Sequence, residues 1–523
     1  MNNFFERYVS SFAFLLIVIF TATAISFSFE QNLWVDESTQ LSGLSLSFVD
    51  MYRWLGGMIN NPFAVPADRM PVLSYYFGAL WGGIFSFDVL VMRYLSLALV
   101  VISLLIISVF LLKKKQPLVL LAALLVLCLS PNLIMAAVEI RAYALFFFFS
   151  VVSILIYINI VLSIERGQDS YKQIIGLSIV LALAINTHFF GVVLSGSIIG
   201  TYILTAFFDK RFIINVNYFL PVALILSVAI VGIALPVVAS FSSQGGSAAT
   251  DGRFSLVLLV KPAVKLIYRL VAHQAMAGIS IVPVVALAVF YAVIVVSLVR
   301  KPTLVKTSLL LLLALGFVVV FLANILLSSF DALAPHYNIW MLPVAALLFA
   351  YCIADLSPQK SAGLMVLLGA CLGFGQYTLA TSGAKYAHTR FDQIQQRVNQ
   401  YQSSDKVAVV YNQSMAKTWF AGVYSFQPAI KQYIATTEGY RNLRTDKLVP
   451  QSQLESESDI LIVAYGEDIY SQDLASAKAE GPLPAGSAVY RQILLSEVFW
   501  QVIDSGAYMA QESAEIVVYK KTP

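Results

Sequence analysis

Residues 89–115 read VLVMRYLSLALVVISLLIISVFLLKKK, an apolar run that ends in three lysines. Apart from Arg93, the run carries no charge before Lys113. A helix needs roughly 20 apolar residues to cross the hydrocarbon core of a bilayer. The stretch therefore predicts a transmembrane helix with a basic cluster at one end.

Similar uncharged runs occur along most of the chain and predict eleven membrane spans. They lie near residues 12–29, 89–112, 117–138, 142–164, 173–189, 191–208, 213–240, 276–299, 307–329, 337–354 and 361–383. The first run is too long for a cleaved signal peptide and lacks a small-residue cleavage site. We therefore expect it to remain as a membrane anchor.

The composition agrees with this interpretation, because 59% of the residues are hydrophobic and only 12% are charged. The mean hydropathy is +0.79. In an average soluble domain about a quarter of the residues are charged. A soluble fold could not cover so much apolar surface, so we predict a polytopic α-helical membrane protein.

Basic residues predict how the helices are oriented, because they recur in every second loop. These residues are Lys113, Lys114, Lys115, Arg166, Lys172, Lys210, Arg211, Arg300, Lys301, Lys306 and Lys360. Loops rich in Lys and Arg stay in the cytoplasm. We therefore expect a bacterial inner-membrane protein with a cytoplasmic N-terminus and a periplasmic or extracellular C-terminal part. The net charge of +4 is a topology signal and does not indicate a nucleic-acid partner.

Two regions are not predicted to span the membrane. The loop 30–88 mixes apolar and polar stretches, which favours short helices lying on the outer membrane surface. A twelfth span over Val72–Phe87 would place the lysine cluster outside and is rejected. Residues 384–523 hold 15 of the 29 acidic residues and alternate apolar runs with polar ones. We predict a transmembrane domain over 1–383 and an outward-facing α/β domain over 384–523.

Three acids in the loop 30–88 are candidate catalytic residues. Asp36 and Glu37 follow the first span directly, and Asp68 comes later in the loop. A partly desolvated carboxylate at the membrane surface can accept a proton from a hydroxyl or an amine. The alternative for the acid pair is a solvated helix N-terminus, where acidic residues are favoured. Around Asp68, Arg69 and Tyr75 are also typical of an interfacial anchor.

More polar residues lie at the same predicted face of the membrane. Arg93 begins the second span, Glu139, Arg141 and Tyr143 separate the third and fourth, and His188 ends the fifth. Ionisable groups at this depth are functional candidates, and a structural pair of Glu139 with Arg141 is the alternative.

Four bases between the seventh and eighth spans recur at intervals of four residues. Lys261, Lys265, Arg269 and His273 would therefore share one face of a helix. Such a stripe at the membrane surface attracts phosphate. Contact with anionic lipids in general is the alternative.

Five motifs occur in order along the chain, at residues 36–37, 68–75, 93–96, 139–145 and 187–188. They are Asp36-Glu37, Asp68-x-x-Pro71-x-Leu73-x-Tyr75, Arg93-x-x-Ser96, Glu139-x-Arg141-x-Tyr143-x-Leu145 and Thr187-His188. In this order they resemble the GT-C superfamily of membrane glycosyltransferases. The similar branch is the bacterial one that includes protein O-mannosyltransferases and the lipid A aminoarabinose transferase. The resemblance covers roughly residues 10–350.

The chain departs from the family pattern at two places. The family's His-Pro-Pro-Leu element appears as residues 69–73, Arg-Met-Pro-Val-Leu, and its Arg-Tyr before a late helix appears as His336-Tyr337. These differences bear on the identity of the substrate more than on the type of reaction.

The resemblance implies transfer of a sugar, with inversion, from a polyprenyl-phosphate carrier to a glycan, lipid or protein acceptor. Asp36 is then the expected base, with Glu37 and Asp68 as further catalytic candidates. The expected substrate-binding residues are Arg69, Tyr75, Arg93, Glu139, Arg141, Tyr143, His188, Lys261, Lys265, Arg269, His336 and Tyr337. The sequence contains no metal-ligand cluster, so the default is a metal-independent enzyme, with a divalent cation at the donor phosphate as the alternative.

Two other functions are considered. A transporter or flippase of a lipid-linked precursor would carry ionisable groups near the middle of the membrane and internal symmetry, and neither is found in the sequence. A ligase or polymerase that uses a diphosphate-linked donor remains an alternative within the enzymes.

Overall fold

In the residues that it describes, the computed structural model is helical up to residue 402 and contains a β-sheet beyond it. It describes residues 2–31, 33, 35–44, 46–59, 68, 70–211, 216–234, 266, 281–326, 333–381, 391–402, 406–411, 430–436, 439–443, 445, 447–466, 500–507 and 514–521.

Helices occupy all eleven predicted spans. They are α1 (Asn2–Glu30), α5 (Val89–Lys113), α6 (Pro117–Cys128) with α7 (Pro131–Val138), α8 (Tyr143–Glu165), α9 (Tyr171–Thr187), α10 (Phe190–Phe208), α11 (Val216–Gly232), α12 (Ile281–Arg300), α13 (Leu304–Leu326), α14 (Met341–Ile353) and α15 (Pro358–Thr381). The predicted multi-pass helical architecture is therefore confirmed.

These helices differ in length. Within the described residues, six are long and apolar enough to cross a membrane by themselves, and α6 with α7, which bend by 65° at their junction, make seven if the pair is counted as one span. Pro131 starts α7 at this bend, because proline disfavours a helical residue before it. The other four are shorter apolar helices.

The helices pack around α8 and α14, which are buried along almost their whole length. Both are uniformly apolar, as expected for helices without a face toward solvent. Trp340, just before α14, packs so closely on Gly316 of α13 that a Cβ atom there would lie 2.2 Å from its ring. This contact holds the segment before α14 against its neighbour.

The helix bundle has two opposite ends, which differ in the residues that they carry. At the end where α5 stops, Lys114 Nζ donates to Asn159 Oδ1 at 2.8 Å, and the Tyr351 hydroxyl donates to Gln116 Oε1 at 3.1 Å. We call this the lysine end. At the opposite end α1 stops and α5 starts, near Asp36. We call this the acidic end.

Three short helices lie at the acidic end, between α1 and α5. They are α2 (Val35–Gly43), α3 (Phe48–Leu55) and α4 (Leu73–Ile84). Ser47 caps α3 by accepting the Asp50 N–H at 3.2 Å. At 12 residues, α4 is too short to cross a bilayer. The run at 72–87 is therefore a short helix, as the charge pattern predicts.

The C-terminal region is α/β, as predicted. Helix α16 (Phe391–Tyr401) precedes it, and α17 (Gln451–Glu457) lies within it. The strands are β1 (Val407–Tyr411), β2 (Lys431–Thr436), β3 (Gly439–Asn442), β4 (Leu448–Val449), β5 (Ile460–Gly466), β6 (Trp500–Ala507) and β7 (Ala514–Lys521). Their order in the sheet is β4-β3-β2-β1-β5-β7-β6. Strand β1 pairs in parallel with β2 and β5, and the other pairs are antiparallel.

The sheet packs at the acidic end of the bundle. One cluster of buried apolar side chains contains Leu41 and Trp54 from the short helices together with Val409 and Ile462 from the sheet. The opposite face of the sheet packs on α17 through Leu454. The short helices therefore lie between the membrane-spanning helices and the sheet.

Candidate active site

The two adjacent acids of α2 have different surroundings. Successive side chains on a helix point about 100° apart, since the helix has 3.6 residues per turn. The side chain of Glu37 is 2% exposed, whereas that of Asp36 is 38% exposed. Only Asp36 is therefore open to a reactant.

Glu37 forms a buried ion pair with Arg93 of α5. Arg93 Nη2 lies 3.1 Å from Glu37 Oε2, and Arg93 Nε donates to Oε1 at 3.4 Å. Arg93 Nη1 also donates to the carbonyls of Ser28 and Gln31 at 2.9 and 3.0 Å. The guanidinium thus ties the end of α1 and the start of α2 to α5.

Glu37 and a serine of α5 also fix the segment between α7 and α8. Glu37 Oε1 accepts the backbone N–H of Ile140 at 3.0 Å, and the Ser96 hydroxyl donates to the carbonyl of Glu139 at 2.6 Å. Arg141 follows directly in this segment. Its position is therefore set by α2 and α5, which are distant in sequence.

Arg141 connects the two remaining acids. Its Nη1 donates to Asp68 Oδ2 at 2.7 Å and to the Asp36 carbonyl at 3.2 Å, and its Nη2 lies 3.8 Å from Asp36 Oδ2. Burial opposes the charge, but Asp68 and Asp36 outweigh it and raise the pKa of the Arg141 guanidinium well above its usual value. Arg141 is therefore a fixed cation beside Asp36.

Asp68 is held from a second side by Tyr75 of α4. The Tyr75 hydroxyl donates to Asp68 Oδ2 at 2.5 Å, the same oxygen that Arg141 contacts. Tyr75 is fully buried, and its burial together with the charge of Asp68 raises the pKa of the hydroxyl well above its usual value. Tyr75 therefore stays protonated and donates to Asp68.

The three acids thus differ in what they can do. Glu37 and Asp68 are 2% and 11% exposed, and both have arginine partners at close range. Asp36 keeps its carboxylate partly exposed, with the guanidinium of Arg141 at a longer distance. A carboxylate placed in this way can accept a proton from a hydroxyl or an amine.

A cluster of aromatic rings lies next to Arg141 along the chain. The ring of Tyr143, at the start of α8, lies 5.7 Å from His188, 5.3 Å from His336 and 6.3 Å from Tyr337, centroid to centroid. His336 and Tyr337 are half-buried, whereas Tyr143 and His188 are buried. The cluster thus joins the starts of α8 and α10 to the segment before α14.

His188 is buried in this cluster with one unused nitrogen. Its Nδ1 accepts the backbone N–H of Phe190 at 3.2 Å, and its ring stacks on Phe146 at 5.1 Å. Within the described residues its Nε2 has no hydrogen-bond partner. Buried polar nitrogens usually have one, so a ligand or a water is the expected partner.

The structure brings most of the candidate residues together at the acidic end. Asp36, Glu37, Asp68, Tyr75, Arg93, Glu139 and Arg141 form one connected group, and Tyr143, His188, His336 and Tyr337 form the aromatic cluster. Arg69, Lys261, Lys265 and Arg269 lie outside the described residues. Among the side chains that are described, no three of His, Cys, Asp and Glu gather as a metal site.

Sequence reasoning missed Phe146 and Phe190 as members of the aromatic cluster. Phe146 belongs to the run FFFF at 146–149, which resembles an ordinary membrane-facing stretch. Its contact with His188 depends on how α8 and α9 pack. Nothing in the sequence pattern distinguishes Phe146 from Phe147.

Comparisons with known proteins give similarity to solved structures only. No family model matches the chain, and no curated protein does. One similar structure is ArnT from Cupriavidus metallidurans bound to undecaprenyl phosphate, at 12% identity over 98% of both chains and a TM-score of 0.48. In its apo state ArnT matches at 12% identity over 96% of this chain and 97% of that one, with a TM-score of 0.45.

Another similar structure is the Archaeoglobus fulgidus oligosaccharyltransferase tethered with an acceptor peptide. It matches at 12% identity over 80% of this chain and 64% of that chain, with a TM-score of 0.46.

Proposed function

We propose that the protein is a membrane glycosyltransferase that moves a sugar from a polyprenyl-phosphate donor to an acceptor, with Asp36 as the base. The observation that carries this proposal is the difference between Asp36 and the other two acids. Glu37 and Asp68 are buried in ion pairs, whereas Asp36 is 38% exposed beside them. Such an arrangement suits one reactive carboxylate on a rigid support.

The proposed reaction is a single displacement at the anomeric carbon of the donor sugar. Asp36 takes the proton from the acceptor hydroxyl or amine while the oxygen or nitrogen of the acceptor attacks the anomeric carbon. The bond from the carbon to the carrier phosphate oxygen breaks, and the phosphate leaves with the electron pair. Because attack comes from the side opposite the phosphate, the product has inverted configuration.

The aromatic cluster supports a role in holding the donor. His336 and Tyr337 are half-buried and lie against Tyr143. Ring faces of this kind pack against the apolar face of a sugar, and the free Nε2 of His188 suits a polar group of a ligand. We propose that this cluster binds the donor sugar and the phosphate attached to it.

The negative charge of the leaving phosphate needs more cationic side chains than Arg141 alone. Arg141 is 6% exposed and paired with Asp68. Lys261, Lys265 and Arg269, with Arg69, remain the proposed phosphate ligands on the basis of their spacing in the sequence. A divalent cation at the phosphate stays the alternative, and loss of transfer in EDTA would support it.

The proposed active site lies on the outer side of the cytoplasmic membrane. This orientation follows from the exposed bases of the lysine end, which belong in the cytoplasm. A polyprenyl carrier presents its sugar at the membrane surface, as an active site at the acidic end requires. The acceptor is then a glycan, lipid or protein of the cell envelope.

The test is transfer by the purified protein in vitro. Sugars on polyprenyl monophosphate and polyprenyl diphosphate carriers are supplied separately, with extracted envelope glycans, lipids and proteins as acceptors. Transfer from the monophosphate donor supports the proposal, and transfer from the diphosphate donor alone identifies a ligase or polymerase. Movement of the intact donor across the membrane without transfer would identify a flippase. Glycan and lipid profiles of a deletion strain would name the sugar and the acceptor.

A further inference from the structure

A groove lies between α9 and α11 near the lysine end, far along the helices from Asp36. It has a volume of about 550 Å³ and is lined by Tyr171, Lys172, Ile175, Pro221, Leu224 and Ile225. Apart from Lys172 and the Tyr171 hydroxyl, the lining side chains are apolar. Leu224 is 59% exposed, so the groove opens away from the bundle, where lipid chains surround the protein.

The groove lies along the pair α9 and α11, which also contact each other at the acidic end. There Ile185, Ala229 and Ile233 form a buried apolar cluster. A Cβ atom on Gly232 would lie 2.8 Å from Asn186 Oδ1, so the two helices almost touch. Toward the lysine end, side chains of the two helices line the groove.

Pro221 contributes to the shape of the groove. It stands inside α11, where its ring removes a backbone hydrogen bond and clashes with the preceding turn. Kinks in helices arise at such prolines. Pro221 itself lines the groove.

The charge at the mouth of the groove is positive. Lys172 is exposed and forms no salt bridge within the part of the chain that the structure describes. Two acids of the adjoining loops have partners: Asp169 Oδ1 accepts the Tyr171 N–H at 3.1 Å, and Asp209 pairs with Arg211 at 2.6 Å. Lys172 is thus free to meet an anion.

We infer that this groove binds an anionic phospholipid, with an acyl chain along Ile175 and Leu224 and the phosphate at Lys172. Tyr171 and Lys172 begin α9, so they lie at the depth of the headgroups, where Tyr and Lys are enriched. Basic residues at this surface attract anionic lipids. The apolar walls exclude a soluble anion as the natural occupant. The site lies at the opposite end of the bundle from the proposed active site and does not depend on the proposed reaction.

The test is native mass spectrometry of the full chain after incubation with phosphatidylglycerol or phosphatidylcholine in mixed micelles. We expect phosphatidylglycerol to bind in preference and Lys172→Ala to weaken its binding about fivefold. Lys360→Ala is the matched control, because Lys360 is exposed at the same end and does not line the groove. Equal effects of the two substitutions would overturn the inference, as would equal binding of the two lipids.

A second variant tests the apolar part of the groove. Leu224→Trp places a large ring between α9 and α11 and should reduce retention of phosphatidylglycerol at least as much as Lys172→Ala does. Its unfolding temperature, measured in the same detergent, should stay close to that of the wild type, because Leu224 is exposed. Full retention of phosphatidylglycerol by a folded Leu224→Trp protein would place the lipid elsewhere.

Discussion

Charged residues at the acidic end and at the lysine end of the bundle are held in different ways. At the acidic end, Glu37, Arg93 and Arg141 are buried and pair across helices that are distant in sequence. At the lysine end, Lys113, Lys115 and most other bases are exposed. Removing an ion from water costs several kcal/mol, whereas an exposed charge costs little. Burying the charges at the acidic end therefore costs stability, whereas the exposed bases at the lysine end cost little.

One buried pair at the lysine end shows that burial alone does not identify an active site. Lys306 of α13 pairs with Asp355 after α14, and its Nζ also donates to the carbonyl of Lys301 at 2.7 Å and to the hydroxyl of Ser297 at 3.3 Å. These contacts join α12, α13 and α14. What distinguishes the acidic end is that Asp36 is 38% exposed and 3.8 Å from its buried cation, whereas Asp355 is 22% exposed and in direct contact with Lys306.

The largest expected difference between the two ends is topological. A reporter that is active only in the periplasm should be active when fused after residue 384 and silent when fused after Lys115. The reason is that exposed bases favour a cytoplasmic position for the lysine end. Reporter activity in cells measures this directly. The reverse pattern would place the acidic end in the cytoplasm and remove the basis for a lipid-linked donor on the outer side.

The second prediction concerns the exposed acid. Asp36→Asn keeps the size of the side chain and removes its ability to accept a proton, so transfer should fall about 10² to 10⁴-fold. Donor binding should change little. Asp50→Asn is the control, because Asp50 is an exposed acid in the same loop region. Turnover near that of the wild type in Asp36→Asn would make Asp68 the next candidate base.

The third prediction compares the buried pairs of the two ends. Glu37→Gln leaves the buried charge of Arg93 without its partner, which should destabilise the protein by about 3 to 5 kcal/mol. Lys306→Met leaves the charge of Asp355, which is 22% exposed, so this substitution should cost less. Lys115→Ala, at an exposed position, should change stability by less than about 0.5 kcal/mol. Unfolding in detergent measures the three effects.

Turnover of the folded fraction separates the two pairs. Glu37 holds the segment that carries Arg141, so Glu37→Gln should also lower turnover. Lys306 contacts only α12, α13 and the end of α14 within the described residues, so Lys306→Met should leave turnover unchanged. If both variants lost turnover equally, the claim that only the acidic end holds the site would be wrong.

The fourth prediction concerns the basic stripe between the seventh and eighth predicted spans. Lys265→Ala and Arg269→Ala should each lower transfer at least tenfold, equivalent to about 1.4 kcal/mol, because contacts to the leaving phosphate strengthen as its charge develops. Transfer rates in zwitterionic detergent measure this. Small effects there would indicate a helix that only contacts anionic lipids.

Much of the fold could be predicted because the decisive signals are local. An uncharged run of sufficient length specifies a membrane helix without reference to its neighbours, and each predicted span coincides with a helix. Strands β1 and β5 were predictable for the same reason, because central parallel strands are continuous apolar runs. The bend between α6 and α7 also has a local signal, Pro131.

The pairing at the acidic end could not be predicted, because it depends on tertiary packing. Glu37 and Arg93 are 56 positions apart, and Arg141 and Asp68 are 73 positions apart. The residue pattern alone did not distinguish Asp36 from Glu37, and only the family resemblance gave Asp36 as the expected base. Which of them faces the interior depends on the rotation of α2, and no residue pattern in a helix of 9 residues specifies that rotation.

The smallest expected effect concerns Tyr75, which contacts the acidic end from the side of the sheet. Its ring meets Trp54 edge to face at 5.8 Å, and Trp54 belongs to the apolar cluster that includes the sheet. Its hydroxyl donates to Asp68, which in turn holds Arg141. Tyr75→Phe removes one hydrogen bond but leaves Asp68 paired with Arg141. We therefore expect a loss of about 1 kcal/mol, which is about fivefold in turnover.

The effects of Tyr75→Phe on kcat and KM distinguish a positioning role of Tyr75 from direct contact with the substrate. Tyr75 is fully buried, so the KM for the donor should stay the same in Tyr75→Phe while kcat falls. Because burial and Asp68 raise the pKa of the hydroxyl, it stays protonated through neutral pH, and the pH profile of the variant should keep the shape of the wild type. Steady-state kinetics across that range measure both quantities. A rise in KM with unchanged kcat would instead mean that Tyr75 contacts the substrate, and that α4 moves to expose it.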